Sequence, residues 1–211
     1  MFTGIIEEVG NVDELVLNGI PNKIKVRCNA VVDDLKVGDS ISVNGVCLTV
    51  NSFTQNDFVA DIMPITVQKT NIKLLSKGSN VNLERAMMLN SRFGGHLVSG
   101  HIDSVGTIES INRDENAILI EIAIDSETHK FLVDEGSISV DGVSLTIAKL
   151  SSNSAIVSII PHTFENTIFR NRRIGDLVNI EVDLIGKYVF KFQNKKVNRV
   201  TKNFLMENGF L

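Results

Sequence analysis

The sequence predicts an all-β fold of two tandem copies of a small closed barrel, followed by a C-terminal α-helix. Three observations carry this prediction: the two halves of the chain repeat each other, β-branched residues alternate with polar ones over short segments, and turn-forming dipeptides separate those segments. A length of 211 residues suits two small domains, and a hydrophobic fraction of 43% supplies a core for each.

The internal repeat is clearest in two hairpin segments. "SISVNGVCLTV" (40–50) and "SISVDGVSLTI" (137–147) agree at eight of eleven positions, at an offset of 97. The offset persists between "GSNVNLE" (78–84) and "GDLVNIE" (175–181), and it slips to 96 between "GIIEEVG" (4–10) and "GHIDSVG" (100–106). We therefore predict a first barrel over residues 1–96, a second barrel over 97–183 and a helical tail over 184–211.

Strand signals recur within each copy. Residues 23–28 alternate basic with apolar side chains, and four isoleucines occupy alternate positions of "AILIEIAID" (117–125). A period of two is typical of strands with one buried face. Asn44-Gly45 and Asp141-Gly142 tolerate positive φ and predict two-residue hairpin turns. Several short strands per copy favour a closed barrel, which leaves no exposed edge.

Each predicted hairpin has one apolar face and one face of small polar side chains. In the first copy the turn pairs Val43 with Val46 and Ile41 with Leu48 on the apolar face, and Ser42 with Cys47 and Ser40 with Thr49 on the polar face. The second copy repeats the polar face as Ser139/Ser144 and Ser137/Thr146. A solvated strand face usually carries Lys or Glu, so this face is better suited to a flat, hydrogen-bonding ligand than to bulk water.

Composition excludes several classes of partner. A formal net charge of −4 and a pI near 5.6 argue against nucleic-acid binding. Residues 1–10 lack a signal-peptide pattern and no apolar run reaches membrane-spanning length, so we expect a cytoplasmic protein without a membrane partner. Cys28 and Cys47 lack the spacing of metal ligands. His96 and His101 would point to opposite faces of a strand, so we expect no metal site.

The tail from Asp183 has a helical pattern. Asp183 is a predicted N-cap, and Ile185, Val189 and Phe192 form one apolar stripe. A second stripe consists of Val197, Val200, Phe204 and Leu205. The stripes require a cover, which is either the protein's own barrels or another subunit.

Several motifs together resemble the riboflavin synthase family of the alpha-chain type. They are the opening "MFTGII", the hairpins "NGVCLTV" and "DGVSLTI", "GGHLVSGH" at the boundary between copies, and the closing "ENGFL". The resemblance spans the whole chain in order and includes the duplication. It implies two six-stranded antiparallel Greek-key barrels with a C-terminal helix, assembled as a homotrimer, with lumazine synthase as a further partner.

The resemblance also implies an activity. Members of this family convert two molecules of 6,7-dimethyl-8-ribityllumazine into riboflavin and 5-amino-6-ribitylamino-uracil by passing a four-carbon unit between them, in the last step of riboflavin biosynthesis. This transferase reaction needs no metal or redox cofactor. Each barrel holds one lumazine, and the reacting pair sits between barrels of neighbouring subunits.

The family's ligand contacts carry over onto segments of both copies. The resemblance assigns to the first barrel Gly4, Ile5, Ile6, Cys47, Leu48, Thr49, Asp61, Ile62, Met63, Pro64, Ile65 and Thr66. It assigns to the second barrel Gly100, His101, Ile102, Ser144, Leu145, Thr146, Ser158, Ile159, Ile160, Pro161, His162 and Thr163. Glu135 stands where the family usually has a ligand-contacting Lys. Three alternatives remain open: a nearby cation such as Lys130 compensates, the contact is dispensable, or the activity is reduced.

Four residues are candidates for the chemistry. His101 is the leading proton-transfer residue because imidazole titrates near neutral pH. Ser144 either activates the group that adds to ring carbon 7 or only binds ligand, and Cys47 is a nucleophile or, preferably, a binding residue. Asp141 is the fourth candidate, although its turn position favours Asp for backbone reasons alone. His96 is expected to be structural or to support the site from behind.

Two other functions remain open at this stage. A non-catalytic, antenna-type relative with the same fold would bind a lumazine or flavin without turnover, but such relatives typically lose the histidines of "GGHLVSGH". A flavoprotein reductase barrel would carry an Arg-x-Tyr-Ser motif, and here the one tyrosine is Tyr188.

Overall fold

A computed structural model describes residues 1–17, 19–114, 117–193 and 206. The first copy contains β1 (Glu8–Val16), β2 (Asn22–Arg27), β3 (Ser40–Val43), β4 (Val46–Phe53), β5 (Asp57–Ile62), α1 (Pro64–Lys69) and β6 (Asn80–Arg85). A 3₁₀ helix, Asn71–Leu74, follows α1. The second copy contains β7 (Ser104–Asp114), β8 (Ala117–Ala123), α2 (Ser126–His129), β9 (Ser137–Val140), β10 (Val143–Leu150), β11 (Ser154–Ile159), α3 (Pro161–Glu165), a 3₁₀ helix (Ile168–Asn171) and β12 (Leu177–Val182).

Both copies fold into closed antiparallel barrels with the same strand order. The first barrel runs β1-β2-β5-β4-β3-β6, and the second, started from β7, runs β7-β8-β11-β10-β9-β12. Three hairpin-connected strands, β3 to β5, are followed in space by β2, which is the Greek-key arrangement. The predicted fold of two six-stranded barrels and a C-terminal helix is therefore confirmed.

Alternation along the strands fills each barrel with apolar side chains. Ile24 and Val26 of β2 are buried in the first core, while Lys23 and Lys25, which alternate with them, face outward. Ile118, Ile120 and Ile122 of β8 are buried in the second core. Each barrel therefore has a core of its own, built from the period-two pattern that the sequence displays.

The two hairpins have the predicted register. Ser42 pairs with Cys47 and Ser40 with Thr49, and Ser139 pairs with Ser144 in the second copy. The turn residues have positive φ: 47° at Asn44 and 81° at Gly45 in the first turn, 46° at Asp141 and 83° at Gly142 in the second. Asn-Gly and Asp-Gly supply this geometry because both residue types tolerate the left-handed region.

The two hairpin turns meet where the barrels pack together. Asn44 and Asp141 are completely buried there. Ser42 and Ser139 are each only 1% exposed. Ser42 and Ser139 of the predicted polar faces are therefore buried at the junction between barrels. The rest of each polar face, which includes Cys47 and Thr49 in the first copy and Ser144 and Thr146 in the second, remains at least partly accessible.

The C-terminal helix begins as predicted. In α4 (Leu184–Gln193), the N–H of Ile185 donates to the Asp183 carboxylate at 2.9 Å, which is an N-cap. Phe190 packs edge-on against Phe131 with 4.9 Å between ring centroids, and Lys187 pairs with Asp103 at 2.7 Å.

The first predicted stripe of this helix faces away from the barrels. Ile185, Val189 and Phe192 are 64%, 49% and 63% exposed. The second predicted stripe, Val197, Val200, Phe204 and Leu205, lies outside the described residues. Within the described ranges, no helix is long and apolar enough to cross a membrane.

Candidate functional site: two equivalent barrel surfaces

Three of the predicted ligand segments meet on the first barrel. Thr49 of β4 pairs with Asp61 of β5, so the segment 47–49 lies beside 61–62. The chain then continues through Met63, whose backbone is extended, into α1 with Pro64 in its first turn. Proline fits there because the first N–H groups of a helix have no internal partner. The result is a surface built from two strand ends and the start of a short helix.

The second barrel repeats this surface residue for residue. Thr146 of β10 pairs with Ser158 of β11. Ile160 has the extended backbone that precedes α3, and Pro161 opens that helix. The predicted segments 144–146, 158–160 and 161–163 are therefore brought together in the same way as their first-copy counterparts.

The fourth segment of each set lies on the opposite barrel from the one the sequence analysis assigned. The carbonyl of Gly4 accepts a hydrogen bond from the N–H of Ser144 at 2.8 Å, and the carbonyl of Gly100 accepts one from Cys47 at 3.0 Å. Ile6 packs on the second core and Ile102 on the first. The grouping of 4–6 with the first site and 100–102 with the second was wrong, because each segment crosses to the other barrel before its own first strand begins.

These crossings bring backbone against side chain at van der Waals distance. A Cβ on Gly4 would lie 2.6 Å from the Cβ of Ser144, and a Cβ on Gly100 would lie 2.4 Å from the Cβ of Cys47. Both glycines also have positive φ, at 77° and 82°. Glycine is needed at both positions for two reasons, the backbone conformation and the close approach.

Two buried carboxylates anchor the crossing segments. Glu84 accepts hydrogen bonds from the N–H of Thr3 at 2.7 Å, from its hydroxyl at 2.8 Å and from the N–H of Gly4 at 3.0 Å. Glu181 accepts the equivalent bonds from Ser99 at 2.7 and 2.6 Å and from Gly100 at 3.0 Å. Burial raises the pKa of both carboxyls above the ordinary value, although these donors oppose the shift.

These two glutamates were not among the predicted site residues. The available signal was the repeated "VNLE" and "VNIE", in which a glutamate follows the same apolar and Asn positions in both copies. Period-two alternation alone could not distinguish a solvated Glu from one that is 4% or 1% exposed, as Glu84 and Glu181 are.

A serine–histidine contact distinguishes the second site. Nδ1 of His96 lies 2.7 Å from Oγ of Ser144, and the imidazole is only 7% exposed. Burial lowers the pKa of His96, so the ring is neutral at pH 7. Among the described residues, Nε2 of His96 has no hydrogen-bond partner. His96 was expected to be structural or supporting, and it contacts a candidate catalytic group directly.

The two candidate groups His101 and Ser144 are associated with different barrels. His101 directly follows Gly100 on the surface of the first barrel, and its side chain is exposed. Cys47 is half-buried beneath that segment. The other cysteine, Cys28, lies in the first core, where burial raises its pKa to about 12. The first site therefore combines His101 with Cys47, and the second combines His96 with Ser144.

The structure places Asp141 away from both surfaces. Its carboxylate is completely buried at the junction between barrels, where Arg172 donates to Oδ2 and Asn71 donates to Oδ1 at 2.8 Å. The N–H of Asn179 completes the set at 2.9 Å. These contacts assign Asp141 a structural position between the two hairpin turns.

Glu135 and Lys130 do not meet in a pair. Glu135 is exposed in the loop before β9 with φ of 62°, at the position where the first copy has Gly38. Lys130 forms an ion pair with Glu127 and lies 5.4 Å from the ring centroid of Phe131. The ammonium of Lys130 is therefore engaged at the α2–α4 contact.

Apolar side chains frame the small polar groups of both sites. Met63 and Ile65 on the first barrel, and Ile5 and Ile160 on the second, are between 49% and 66% exposed. A cavity of about 350 Å³ lies beside the second site and is lined in part by Ile6 and His162. A larger cleft of about 590 Å³ adjoins Ile5 along residues 84–94. The described residues contain no cluster of His, Cys, Asp and Glu able to hold a metal ion.

Two closed barrels with equivalent surfaces, each completed by a segment from the other, define a duplicated ligand-binding barrel protein. The model of the lumazine binding domain matches the chain twice, at residues 3–86 and 99–183. Riboflavin synthase of Bacillus subtilis (strain 168) is 49% identical, with full coverage of both chains. Riboflavin synthase of Saccharomyces cerevisiae is 43% identical over 90% of this chain and 85% of its own.

Solved structures share the fold. The crystal structure of LumP complexed with riboflavin superposes with a TM-score of 0.79 at 24% identity, covering 86% of this chain and 99% of LumP. That of LumP complexed with 6,7-dimethyl-8-(1'-D-ribityl) lumazine gives 0.77 at the same identity and coverage. With its two lumazine binding domains and its full-length relatives, the chain belongs to the riboflavin synthase family.

Proposed function

We propose that this protein catalyses the riboflavin synthase reaction, as a transferase that passes a four-carbon unit between two molecules of 6,7-dimethyl-8-ribityllumazine. The products are riboflavin and 5-amino-6-ribitylamino-uracil. Full-length relatives named riboflavin synthase, at 43% to 49% identity, support the proposal. No metal or redox cofactor takes part.

The observation that carries the proposal is one chain with two equivalent but chemically unlike sites. Both substrates are the same molecule, so two related surfaces can bind both of them. Donor and acceptor nevertheless have to behave differently, and the first site has His101 and Cys47 where the second site has Ile5 and Ser144. Holding both rings in place turns a bimolecular encounter into a positioned one, which can remove several kcal/mol from the barrier.

At each site the flat ring would lie over the strand ends. Thr49 and Asp61 on the first barrel, and their counterparts on the second, offer hydrogen-bonding groups to the ring edge. Exposed Met63 and Ile65 would cover the apolar ring face, as Ile160 and Ile5 would at the second site. Glu135 would accept hydrogen bonds from hydroxyl groups of the ribityl chain, in place of the cationic contact that is usual in the family.

The catalytic roles follow from the two pairs. His101 is the proposed proton acceptor for the acidic 7-methyl group of a lumazine on the first barrel. Nδ1 of neutral His96, 2.7 Å from Ser144 Oγ, would accept a hydrogen bond from the serine hydroxyl. This bond makes the serine oxygen a better hydrogen-bond acceptor for the group that adds to ring carbon 7 of a lumazine on the second barrel. Cys47 positions ligand. Asp141 takes no part in the chemistry because no part of its side chain is accessible.

The proposed assembly is a homotrimer joined through residues 184–211. Ile185, Tyr188 and Val189 of α4 are about half or more exposed, and subunit contacts would cover them. A trimer would place the first barrel of one subunit opposite the second barrel of the next and so bring two lumazines face to face. A cytoplasmic location and association with lumazine synthase complete the proposal.

The decisive experiment incubates the purified protein with 6,7-dimethyl-8-ribityllumazine and follows riboflavin fluorescence. We expect one riboflavin and one 5-amino-6-ribitylamino-uracil for each two lumazines consumed, without added metal or reductant. Stoichiometric binding without turnover would reject the synthase proposal in favour of an antenna-type protein. Absence of binding would reject both.

A further inference from the structure

We propose that Glu84 and Glu181 are positioning residues that act crosswise: the buried glutamate of each barrel fixes the residues that complete the site on the other barrel. Glu181, on β12 of the second barrel, would hold Gly100 and His101 in place over Cys47 of the first. Glu84, on β6 of the first barrel, would hold Gly4 and Ile5 in place over Ser144 of the second. The inference deepens the proposed function, on which its activity readout rests.

The first link runs from Glu181 to Cys47 through one glycine. Oε2 of Glu181 accepts the N–H of Gly100 at 3.0 Å, and the carbonyl of the same glycine accepts the N–H of Cys47 at 3.0 Å. Gly100 is therefore bonded on both sides, to a carboxylate of the second barrel and to a strand of the first. His101 is the next residue in the chain, so the orientation of its backbone and side chain depends on the hydrogen bond between Gly100 and Glu181.

The second oxygen of Glu181 locks the preceding residue. Oε1 accepts both the N–H and the hydroxyl of Ser99, at 2.7 and 2.6 Å. Bonds of this length to a carboxylate are charge-assisted and stronger than bonds between neutral groups. The side chain of Glu181 is 1% exposed, so water does not compete for them.

Glu84 repeats the arrangement in the opposite direction. Its carboxylate holds Thr3 and Gly4, and the Gly4 carbonyl bonds to Ser144 at 2.8 Å. Thr3 also fixes the Ser144 partner, because its carbonyl accepts the N–H of His96 at 3.2 Å. The anchored segment therefore supports both members of the serine–histidine pair.

A purely structural role for these glutamates makes a different prediction from crosswise positioning. If they only stabilise the fold, loss of either should loosen both sites to a similar extent. If they position, loss of Glu181 should disturb the first site and loss of Glu84 the second. Glu181→Gln and Glu84→Gln form a matched pair. Each keeps one acceptor oxygen and places an amide N–H₂ group against a backbone N–H, that of Gly100 in the first variant and that of Gly4 in the second.

The thiol of Cys47 reports on the first site without any need for activity. Gly100 packs directly on Cys47, and the other cysteine of the chain, Cys28, is buried with its pKa raised to about 12, so it reacts slowly. We expect the rate of Cys47 alkylation by iodoacetamide to rise about tenfold in Glu181→Gln, the factor expected for one lost charge-assisted hydrogen bond. Glu84→Gln should leave the rate at the value of the unsubstituted protein.

The mirror experiment moves the reporter to the other barrel. In a Cys47→Ser, Ser144→Cys background, the thiol lies beneath Gly4. Its alkylation should now accelerate in Glu84→Gln and stay unchanged in Glu181→Gln. In the otherwise unsubstituted protein, Glu181→Gln should also lower kcat about tenfold.

Equal acceleration by both glutamine variants, or none in a variant with an unchanged circular dichroism spectrum and melting temperature, would overturn the proposal. If a glutamine variant does not fold, Ser99→Ala and Thr3→Val test the proposal with the same alkylation readout. Thr3→Val removes the hydroxyl bond to Glu84, and Ser99→Ala removes the hydroxyl bond to Glu181 together with the bond that Ser99 Oγ accepts from the N–H of His101 at 3.3 Å. A protein that makes no riboflavin would reject the proposed function and leave the alkylation test valid.

Discussion

Gly45 and Gly142 meet back to back where the two barrels join. A Cβ on Gly45 would lie 2.8 Å from the backbone nitrogen of Gly142, and a Cβ on Gly142 would lie 2.7 Å from the nitrogen of Gly45. Both residues have φ above 80°. The junction therefore depends on two hairpin turns that are free of side chains at their point of contact.

The first prediction concerns this contact. Gly142→Ala should lower the free energy of unfolding by about 3 kcal/mol, because it combines backbone strain with overlap on the facing turn. Gly175→Ala is the matched control, since Gly175 has φ of 93° and nothing within 4 Å of an added Cβ. The control should cost only about 1–2 kcal/mol from strain. Urea denaturation measures both, and equal losses would show that the contact between turns adds nothing.

The second prediction concerns the buried ion pair between Asp141 and Arg172. Asp141→Asn should cost about 2–4 kcal/mol, because the guanidinium of Arg172 then loses its partner at a site with little solvent. The first copy has Asn44 and Leu75 at the equivalent positions. The double variant Asp141→Asn, Arg172→Leu should therefore recover most of the lost stability. A double variant as unstable as the sum of its single changes would contradict this reading of the junction.

The third prediction is a pH dependence from His96. Burial lowers the pKa of His96, so the folded protein keeps the ring neutral at pH values at which the unfolded chain, with a pKa of about 6.5, takes up a proton. The stability that this group contributes is therefore complete above about pH 6.5 and is lost as the pH falls toward the folded pKa, by up to about 1.4 kcal/mol per pH unit.

The His96→Asn variant isolates that effect. Its unfolding free energy, measured between pH 7.5 and 5, should fall less steeply than that of the unsubstituted protein. The raised pKa values of Glu84 and Glu181 have the opposite effect, because they increase the stability of the folded protein as the pH falls. Both glutamates are present in both proteins, so their contribution cancels when the two curves are compared. Parallel curves would mean that the pKa of His96 is the same in the folded protein as in the unfolded chain.

The fourth prediction tests the proposed base. His101→Gln should lower kcat about 10²-fold or more while the dissociation constant for lumazine changes little, as expected for a group that acts in proton transfer. His129→Gln, in α2, is the matched control and should keep the original kcat. Unchanged turnover in the His101 variant would remove this side chain from the mechanism.

The fifth prediction tests whether subunits share a site. Thr49→Arg and Thr146→Arg should each be inactive, because an arginine on the small polar surface blocks the ring. Unfolding and refolding the two variants together should restore part of the activity, since a mixed trimer pairs an intact first barrel with an intact second barrel. Continued inactivity, with mixed trimers verified by native mass spectrometry, would place both rings of a site within one chain.

Local signals predicted the strands, the hairpins and the polar hairpin face that carries Cys47, Thr49, Ser144 and Thr146, whereas the other segments of each candidate site came from the family resemblance. A two-residue turn fixes the partner of every residue in its hairpin, so the pairing of Ser144 with Ser139 followed from Asp141-Gly142 alone. The crossing of the Gly4 and Gly100 segments to the opposite barrels could not be predicted from the repeat. The repeated sequence would be the same whether each segment packed on its own barrel or on the other one.

The role of Asp141 was hidden for a related reason. Its partners, Asn71, Arg172 and Asn179, are separated from it by 70, 31 and 38 residues, and no local period connects them. The burial of Glu84 and Glu181 depends on the same long-range packing. Residues whose environment is created by the docking of two domains are therefore the ones that pattern reasoning places least well.

The exchange of terminal segments has a consequence for descent after gene duplication. A mutation that alters Gly4 or Glu84 arises in the first copy, yet its effect on activity would be exerted at Ser144 in the second copy. The two copies are therefore not free to specialise one at a time. Each substitution that tunes one surface has to be compatible with a partner encoded in the other half of the gene, so the two halves are expected to adapt as a pair.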